Sequence, residues 1–229
     1  MIKYHRDLVQ QTDEWRAARC GLLTASEMKL VITPTLKVAA NDKSRTHVWE
    51  LVAQRIEKYV EPTFESYDMA RGKEDEIDAL NLYNEHYAPL ERCGFVTSDE
   101  FGFTLGYSPD GLAGDVGLTE AKSRCQKYQY ETIISYFPDN RIPEEYMLQI
   151  QTALLVTRRA WCDFISFGNG NPMCVIRVMP DPSIQDAIIK AATAVEADIK
   201  SKIERFHEIM ATHKLIKTVR KNRSEEIKI

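Results

Sequence analysis

Ser108-Pro109-Asp110-Gly111, followed after a short connection by Glu120-Ala121-Lys122, is the stretch whose reading decides the fold. In an extended strand, residues two apart share a face, so Glu120 and Lys122 project together while Ala121 turns away and offers its backbone carbonyl at the edge of the site. Asp110 supplies a second carboxylate from the preceding turn. Two carboxylates and a carbonyl form the hard, all-oxygen ligand set that suits Mg²⁺, with waters and substrate phosphate completing the shell. Lys122 then stands where it can deprotonate or orient an attacking water, or neutralise charge developing on a phosphate. The pattern predicts a metal-dependent nuclease centre. Each half also has a plainer reading: Ser-Pro-Asp-Gly makes a good β-turn in which Gly tolerates positive φ, and Glu-x-Lys occurs on solvated strand faces.

Working outward, Phe101-Gly102-Phe103-Thr104-Leu105-Gly106-Tyr107 reads as a core strand leading into the centre. Gly94 to Thr97, Phe103 to Tyr107 and Leu118 to Lys122 together predict a curved antiparallel meander. Helices are predicted on either side of it. Thr12 or Asp13 caps a first helix that stops near Gly21, and Thr24-Ala25-Ser26-Glu27 has the capping-box pattern for a second, ending by Pro34. Val48, Leu51, Val52, Ile56 and Tyr59 fall at helical spacing, as do Ile77, Leu80 and Tyr83, and both stripes are expected in the core. Further helices are expected around Tyr128 to Tyr136, from Pro143 to Val156 and from Pro182 through Phe206, with strands at Ala160 to Phe167 and Met173 to Met179. The result is a mixed α/β (α+β) domain with a central sheet flanked by helices.

The chain has 229 residues, 44% hydrophobic and 28% charged, which suits one domain with a substantial core. No repeat or linker divides it, so residues 1–229 are read as a single domain with a basic tail from about 212. That tail carries Lys214, Lys217, Arg220, Lys221 and Arg223, and reads equally as a solvated end or a DNA contact. No signal-type or membrane-spanning run is present, so a cytoplasmic location without membrane attachment is the expectation. The five cysteines are scattered with no CxxC pair, which argues against a disulfide framework, a zinc site or an iron–sulfur cluster and reads them as small buried apolar residues. A net charge of −4 looks unfavourable for binding nucleic acid, but the local field at the site governs that contact.

The order of motifs, Trp15 to Glu27, Gly72-Lys73-Glu74-Asp75-Glu76, Ser108-Pro109-Asp110-Gly111, Glu120-Ala121-Lys122 and Gln149-Ile150-Gln151, resembles the lambda-exonuclease family of viral recombinase nucleases. The resemblance implies a restriction-endonuclease-like core with a Pro-Asp…Glu-x-Lys centre. It further implies a processive 5′-to-3′ exonuclease on double-stranded DNA ends, leaving 3′ overhangs for a single-strand annealing protein. A homotrimeric ring and a bacterial host cell, with the gene carried by phage or prophage, belong to the same expectation. Asp110 and Glu120 would bind Mg²⁺, with Mn²⁺ an accepted substitute, Ala121 would add its carbonyl, and Lys122 would assist the water. Glu76 would approach a second ion, directly or through water, in a two-metal arrangement with ions ~4 Å apart. Its other reading is one acid in a solvated run with Glu74, Asp75 and Asp78. Arg19, Ser26, Ser108 and Gln149 match a 5′-phosphate pocket, where Ser26 and Arg19 serve equally well as cap and surface residue. Met69 takes the place of an apolar wedge that parts the terminal base pair, and Lys37 and Lys43 stand where the family uses an arginine to track DNA. An endonuclease of the same core and an idle DNA-end-binding scaffold are the competing readings.

Overall fold

The computed structural model describes residues 1–62 and 66–220. Lys221 and Arg223 of the basic tail lie outside them. Several helices begin where a short polar side chain accepts from otherwise unpaired N–H groups. Thr12 caps α1 (Asp13–Arg19), Asn41 caps α3 (Asp42–Glu57), Ser66 caps α4 (Tyr67–His86), and Asp181 caps α7 (Pro182–Thr212). Between them, α2 spans Met28–Val31, α5 spans Gln126–Glu131 and α6 spans Glu144–Thr157. A π-helical turn, Thr132–Tyr136, continues α5.

The strands form two sheets. Strands β1 (Ile2–His5), β2 (Leu23–Thr24), β4 (Phe95–Ser98) and β5 (Leu105–Tyr107) make one, in the order β1-β4-β5-β2. The other contains β3 (Leu90–Glu91), β6 (Gly111–Ala113), β7 (Gly117–Ser123), β8 (Trp161–Phe167) and β9 (Cys174–Val178), in sequence order. Both are mixed, because β2 lies parallel to β5 and β7 parallel to β8. Helix α6 is buried on nearly every side from Ile150 to Thr157 and packs against β4, β5, β8 and α7; its polar members Gln151, Thr152 and Thr157 are answered by the carbonyls of Met179, Leu148 and Ala153. The face of α7 carrying Ile188, Ala192, Val195 and Ile199 closes the core over α3 and α6.

Several expectations change here. The predicted meander is split: β4 and β5 pair in the first sheet and β6 and β7 in the second, and the chain crosses between them at Ser108 to Asp110. The Thr24 motif does not form a capping box, because Thr24 Oγ1 donates to the Glu27 carboxylate at 2.7 Å. A 3₁₀ turn, Ala25–Glu27, and the short α2 replace one continuous helix. On α4 the buried positions are Asp75, Ala79 and Tyr83, and Ile77 is 56% exposed, since the inward stripe runs at i, i+4, i+8 from a polar residue. Tyr59 falls beyond α3, with the Arg220 guanidinium 3.6 Å from its ring centroid. Strand β1 was not foreseen; it is short, polar at Lys3 and His5, and held by pairing with β4. All five cysteines are free, with Cys93, Cys162 and Cys174 buried and Cys20 and Cys125 half-buried. Among the described residues no helix is long and apolar enough to cross a membrane.

Candidate active site

Strand β7 runs between β6 and β8, and its register seats Glu120 beside Phe164 and Lys122 beside Ser166. Gly111 pairs with Thr119 across β6 and β7, and a Cβ there would lie 2.7 Å from Thr119 Oγ1 and 2.8 Å from a Leu90 methyl. The glycine is needed for this close approach and has no positive φ, so the turn reading gave the right residue for another reason. Drawing β6 onto β7 brings Asp110 Oδ2 within 2.7 Å of the Ala121 N–H, which donates to it. The turn and the strand therefore form one site.

Glu120 is 2% exposed and accepts three hydrogen bonds. Lys122 Nζ donates to Oε1 at 2.7 Å, Tyr107 donates to Oε2 at 3.0 Å, and the Gln149 amide makes a short contact to Oε1. Burial, then the charges of Glu120 and Glu76, push the Asp110 carboxyl well above the usual carboxylate range. Burial and Glu120 push Glu76 upward in the same way. For Lys122, burial works against the charge, but Glu120 and Asp110 outweigh it and raise its pKa. The Tyr107 hydroxyl is raised by burial and by Glu120, so it stays protonated as a donor.

Three carboxylates thus share a desolvated region with one ammonium and one amide. Like charges brought together out of water are stabilised by a divalent cation, and the oxygen donors Asp110, Glu120 and the Ala121 carbonyl have the hardness that Mg²⁺ prefers. This donor set fits the implied ion. Among the described residues no three His, Cys, Asp or Glu side chains form a metal-holding cluster, so Glu76 bears on the centre through its charge.

Arg19, Ser108 and Ser26 meet at a second focus. Arg19 Nη1 donates to Ser108 Oγ at 3.0 Å and Nη2 to Thr24 Oγ1 at 3.3 Å, while Thr24 Oγ1 lies 3.3 Å from Ser26 Oγ. Burial lowers the Arg19 pKa, and among the described residues the guanidinium makes no ion pair, so its charge is available to an anion. Gln149 belongs to the carboxylate centre instead, although α6 packs on the 3₁₀ turn that carries Ser26. Gln151, its neighbour in the motif, is buried and brackets the start of α7, donating to the Met179 carbonyl and accepting from the Asp181 N–H, both at 2.8 Å. Met69 is half exposed in the first turn of α4, and Lys37 is exposed in the tight loop closed by the Ile32–Val38 bridge. Neither is bonded to the carboxylate centre.

Sequence reasoning gave no role to Trp15, whose indole donates to Ser108 Oγ at 2.9 Å and whose ring lies 4.5 Å beneath the Arg19 guanidinium. It also gave no part in the site to Tyr107, Thr24 or Tyr146, the last with Lys122 Nζ 5.6 Å from its ring centroid. Trp15 and Arg19 one helical turn apart, and Tyr107 directly before Ser108, were the available signals.

A family model described as the YqaJ-like viral recombinase domain matches residues 14–160. Among solved structures, an alkaline exonuclease, LHK-Exo of Laribacter hongkongensis, is 29% identical with a TM-score of 0.75, and the match covers 87% of this chain and 98% of that one. LHK-Exo in complex with dAMP is 30% identical over the same shares, with a TM-score of 0.76. A phage-related exonuclease from Haemophilus somnus 129PT shares the fold at 12% identity and a TM-score of 0.56, covering 81% of this chain and 96% of its own. No curated protein matches the sequence significantly.

Proposed function

Because the chain belongs to the YqaJ-like viral recombinase domain family, whose structural relatives here are alkaline exonucleases, we propose that it is a Mg²⁺-dependent 5′-to-3′ exonuclease acting on double-stranded DNA ends. The observation that carries this reading is the convergence of Asp110, Glu120, Lys122 and Gln149 on β7, beside Arg19, a half-buried cation with no ion pair among the described residues. In this reading residues 1–229 act as one nuclease domain, a trimeric ring encloses the duplex, and the 3′ overhang passes to a single-strand annealing protein in the cytoplasm of a bacterial host.

Asp110, Glu120 and the Ala121 carbonyl would hold the metal, with Glu76 acting on a second ion. When bound, such ions supply Lewis acidity that lowers the pKa of an attacking water and offsets charge on the leaving oxygen. Lys122, kept protonated by its ion pair, donates to the water or to the phosphate oxygen as charge develops. Gln149 and Tyr107 fix the rotamer of Glu120 from opposite oxygens, so the carboxylate needs little reorganisation. Arg19, backed by Trp15 and Ser108, would receive a terminal 5′-phosphate together with the exposed hydroxyl of Ser26. Met69 would part the terminal pair and Lys37 would follow the duplex. The dAMP bound by LHK-Exo is a deoxynucleoside monophosphate, the class of product that stepwise hydrolysis releases.

The test is incubation with Mg²⁺ and linear duplexes labelled on either strand end, alongside a closed circular plasmid and an EDTA control. Progressive loss of the 5′ strand with the circle intact is the expected result. Cutting of the circle would assign the centre to an endonuclease, and inertness toward both would overturn the catalytic reading.

A further inference from the structure

Beyond Lys122, the chain at Ser123 and Arg124 opens a second polar pocket of about 330 Å³, lined by Arg71, Asp75, Arg124, Gln126, Asn169 and Asn171 among others. It shares both of its main supports with the carboxylate centre, because Asp75 precedes Glu76 on α4 and Arg124 follows the end of β7. Arg124 is held with unusual completeness. Its guanidinium lies 5.2 Å from the ring centroids of both Tyr128 and Tyr146, and its side chain is 6% exposed. Nη1 donates to Glu145 at 2.7 Å and to the Tyr146 hydroxyl at 2.5 Å. The other edge is unanswered among the described residues: Nε is buried without a hydrogen-bond partner, and Nη2 makes no hydrogen bond.

Leaving the Nε side of a buried guanidinium unsatisfied is costly, and the Nε/Nη2 edge is a fork that matches two oxygens of one phosphate. Arg71 adds a second cation at the rim, one-third exposed, with Nη1 3.1 Å from the exposed carboxylate of Asp68 and Nε donating to Ser123 Oγ at 3.2 Å. The one carboxylate lining the pocket, Asp75, is already engaged by the Ser123 hydroxyl and lies 4.0 Å from Arg71 Nε. Gln126 and the Asn169-Gly170-Asn171 loop, with Gly170 at φ +76°, complete a wall of neutral amides.

We propose that this pocket is a phosphodiester subsite that grips the backbone of the DNA strand beside the scissile position, with Arg124 as the two-pronged contact and Arg71 as the supporting charge. The assignment rests on the nuclease reading of the adjoining centre. Its alternative source of the same chemistry is the phosphate of a released mononucleotide.

The experiment measures binding of a labelled 5′-phosphorylated duplex by fluorescence anisotropy in EDTA, across a salt series, for the wild type, Arg124→Gln, Arg124→Lys and Arg71→Gln, each checked for its melting temperature. Each glutamine variant should bind about tenfold more weakly, and the slope of log affinity against log salt should shrink by about one, as expected when a phosphate contact is lost. Arg124→Lys should recover the slope but not the affinity, because an ammonium keeps the charge and lacks the fork. Arg71→Gln, at a partly exposed position, keeps the test decisive if Arg124→Gln fails to fold. Wild-type affinity and slope in the folded glutamine variants would overturn the proposal. Loss of dAMP competition with duplex binding untouched would also overturn it, in favour of the mononucleotide. Failure of the wild type to bind duplex ends would instead count against the exonuclease reading itself.

Discussion

Two carboxylates lie buried on neighbouring strands of the same sheet, Glu120 on β7 and Asp163 on β8, each 2% exposed. Asp163 is fully answered: Tyr83 donates to Oδ2 at 2.7 Å, and Arg177 grips both oxygens at 2.8 and 2.9 Å with its other face 3.7 Å from the Trp161 ring centroid. That group ties α4, β8 and β9 together and has no charge to spare. Glu120 has one cation but also Asp110 and Glu76 for company, so negative charge remains in excess. A buried charge matched by its partners serves the fold, whereas one crowded by its own sign is held for something absent from the chain.

The strongest way to break this contrast is to disable the crowded side. Lys122→Ala and Asp110→Ala should each lower the cleavage rate per folded molecule by ~10³-fold or more. Asp110→Ala, which relieves like-charge crowding, should melt near the wild type, whereas Lys122→Ala, which leaves Glu120 buried without its cation, should melt lower. Wild-type turnover from either variant would remove the centre from the chemistry. Asp163→Ala should do the reverse, costing about 1–3 kcal/mol in urea unfolding through the orphaned Tyr83 hydroxyl, with the rate per folded molecule unchanged. Arg177 is half exposed and can turn to water, which keeps that cost moderate.

Arg19 sharpens the contrast from the positive side, as a half-buried cation with no ion pair among the described residues. Arg19→Ala should reduce the preference for 5′-phosphorylated over 5′-hydroxyl ends by about tenfold, equivalent to ~1.4 kcal/mol. Equal losses on both substrates would withdraw its role. The smallest effect concerns protons. Asp110 and Glu76 have folded pKa values above their unfolded ones, so protons favour the folded state and metal-free stability declines as pH rises through the folded values. Asp110→Asn, which can still accept from Ala121, should therefore melt a few degrees above the metal-free wild type at pH 8, with the gap closing below about pH 4. A lower melting point for the variant at pH 8 would mean that the charge is already compensated.

The part of the site that follows a local period was legible in the sequence. Glu120 and Lys122 share a face because a strand alternates, and Asp110 joins them because a Pro-Asp-Gly turn precedes a strand that returns alongside. What escaped depends on distant neighbours. Ile77 looked like core and is exposed, because the sheet is faced by Asp75, whose partner Ser123 is remote in the chain. The split of the meander into two sheets was invisible, since Ser108 to Asp110 has the same composition whether it reverses a strand or carries it across a gap. Gln149 and Gln151 looked like a pair, yet one meets Glu120 and the other ties down α7, a distinction set by which side of α6 faces which layer. Arg124 gave no signal, because an unsatisfied edge becomes visible only when every neighbour is in place.

The parallel pairing of β7 with β8 also governs when the protein can become dangerous to DNA during its own synthesis. Residues 76, 110, 120 and 122 have been translated while β8 and α6 do not yet exist, so β7 is then an unpaired edge and Glu120 lacks its amide from Gln149. The pairing of β7 with β8 forms only after the intervening segment, which carries α5 and α6, has folded back. A nascent chain therefore carries the acids without the geometry until α6 and β8 have been made and have folded back onto β7.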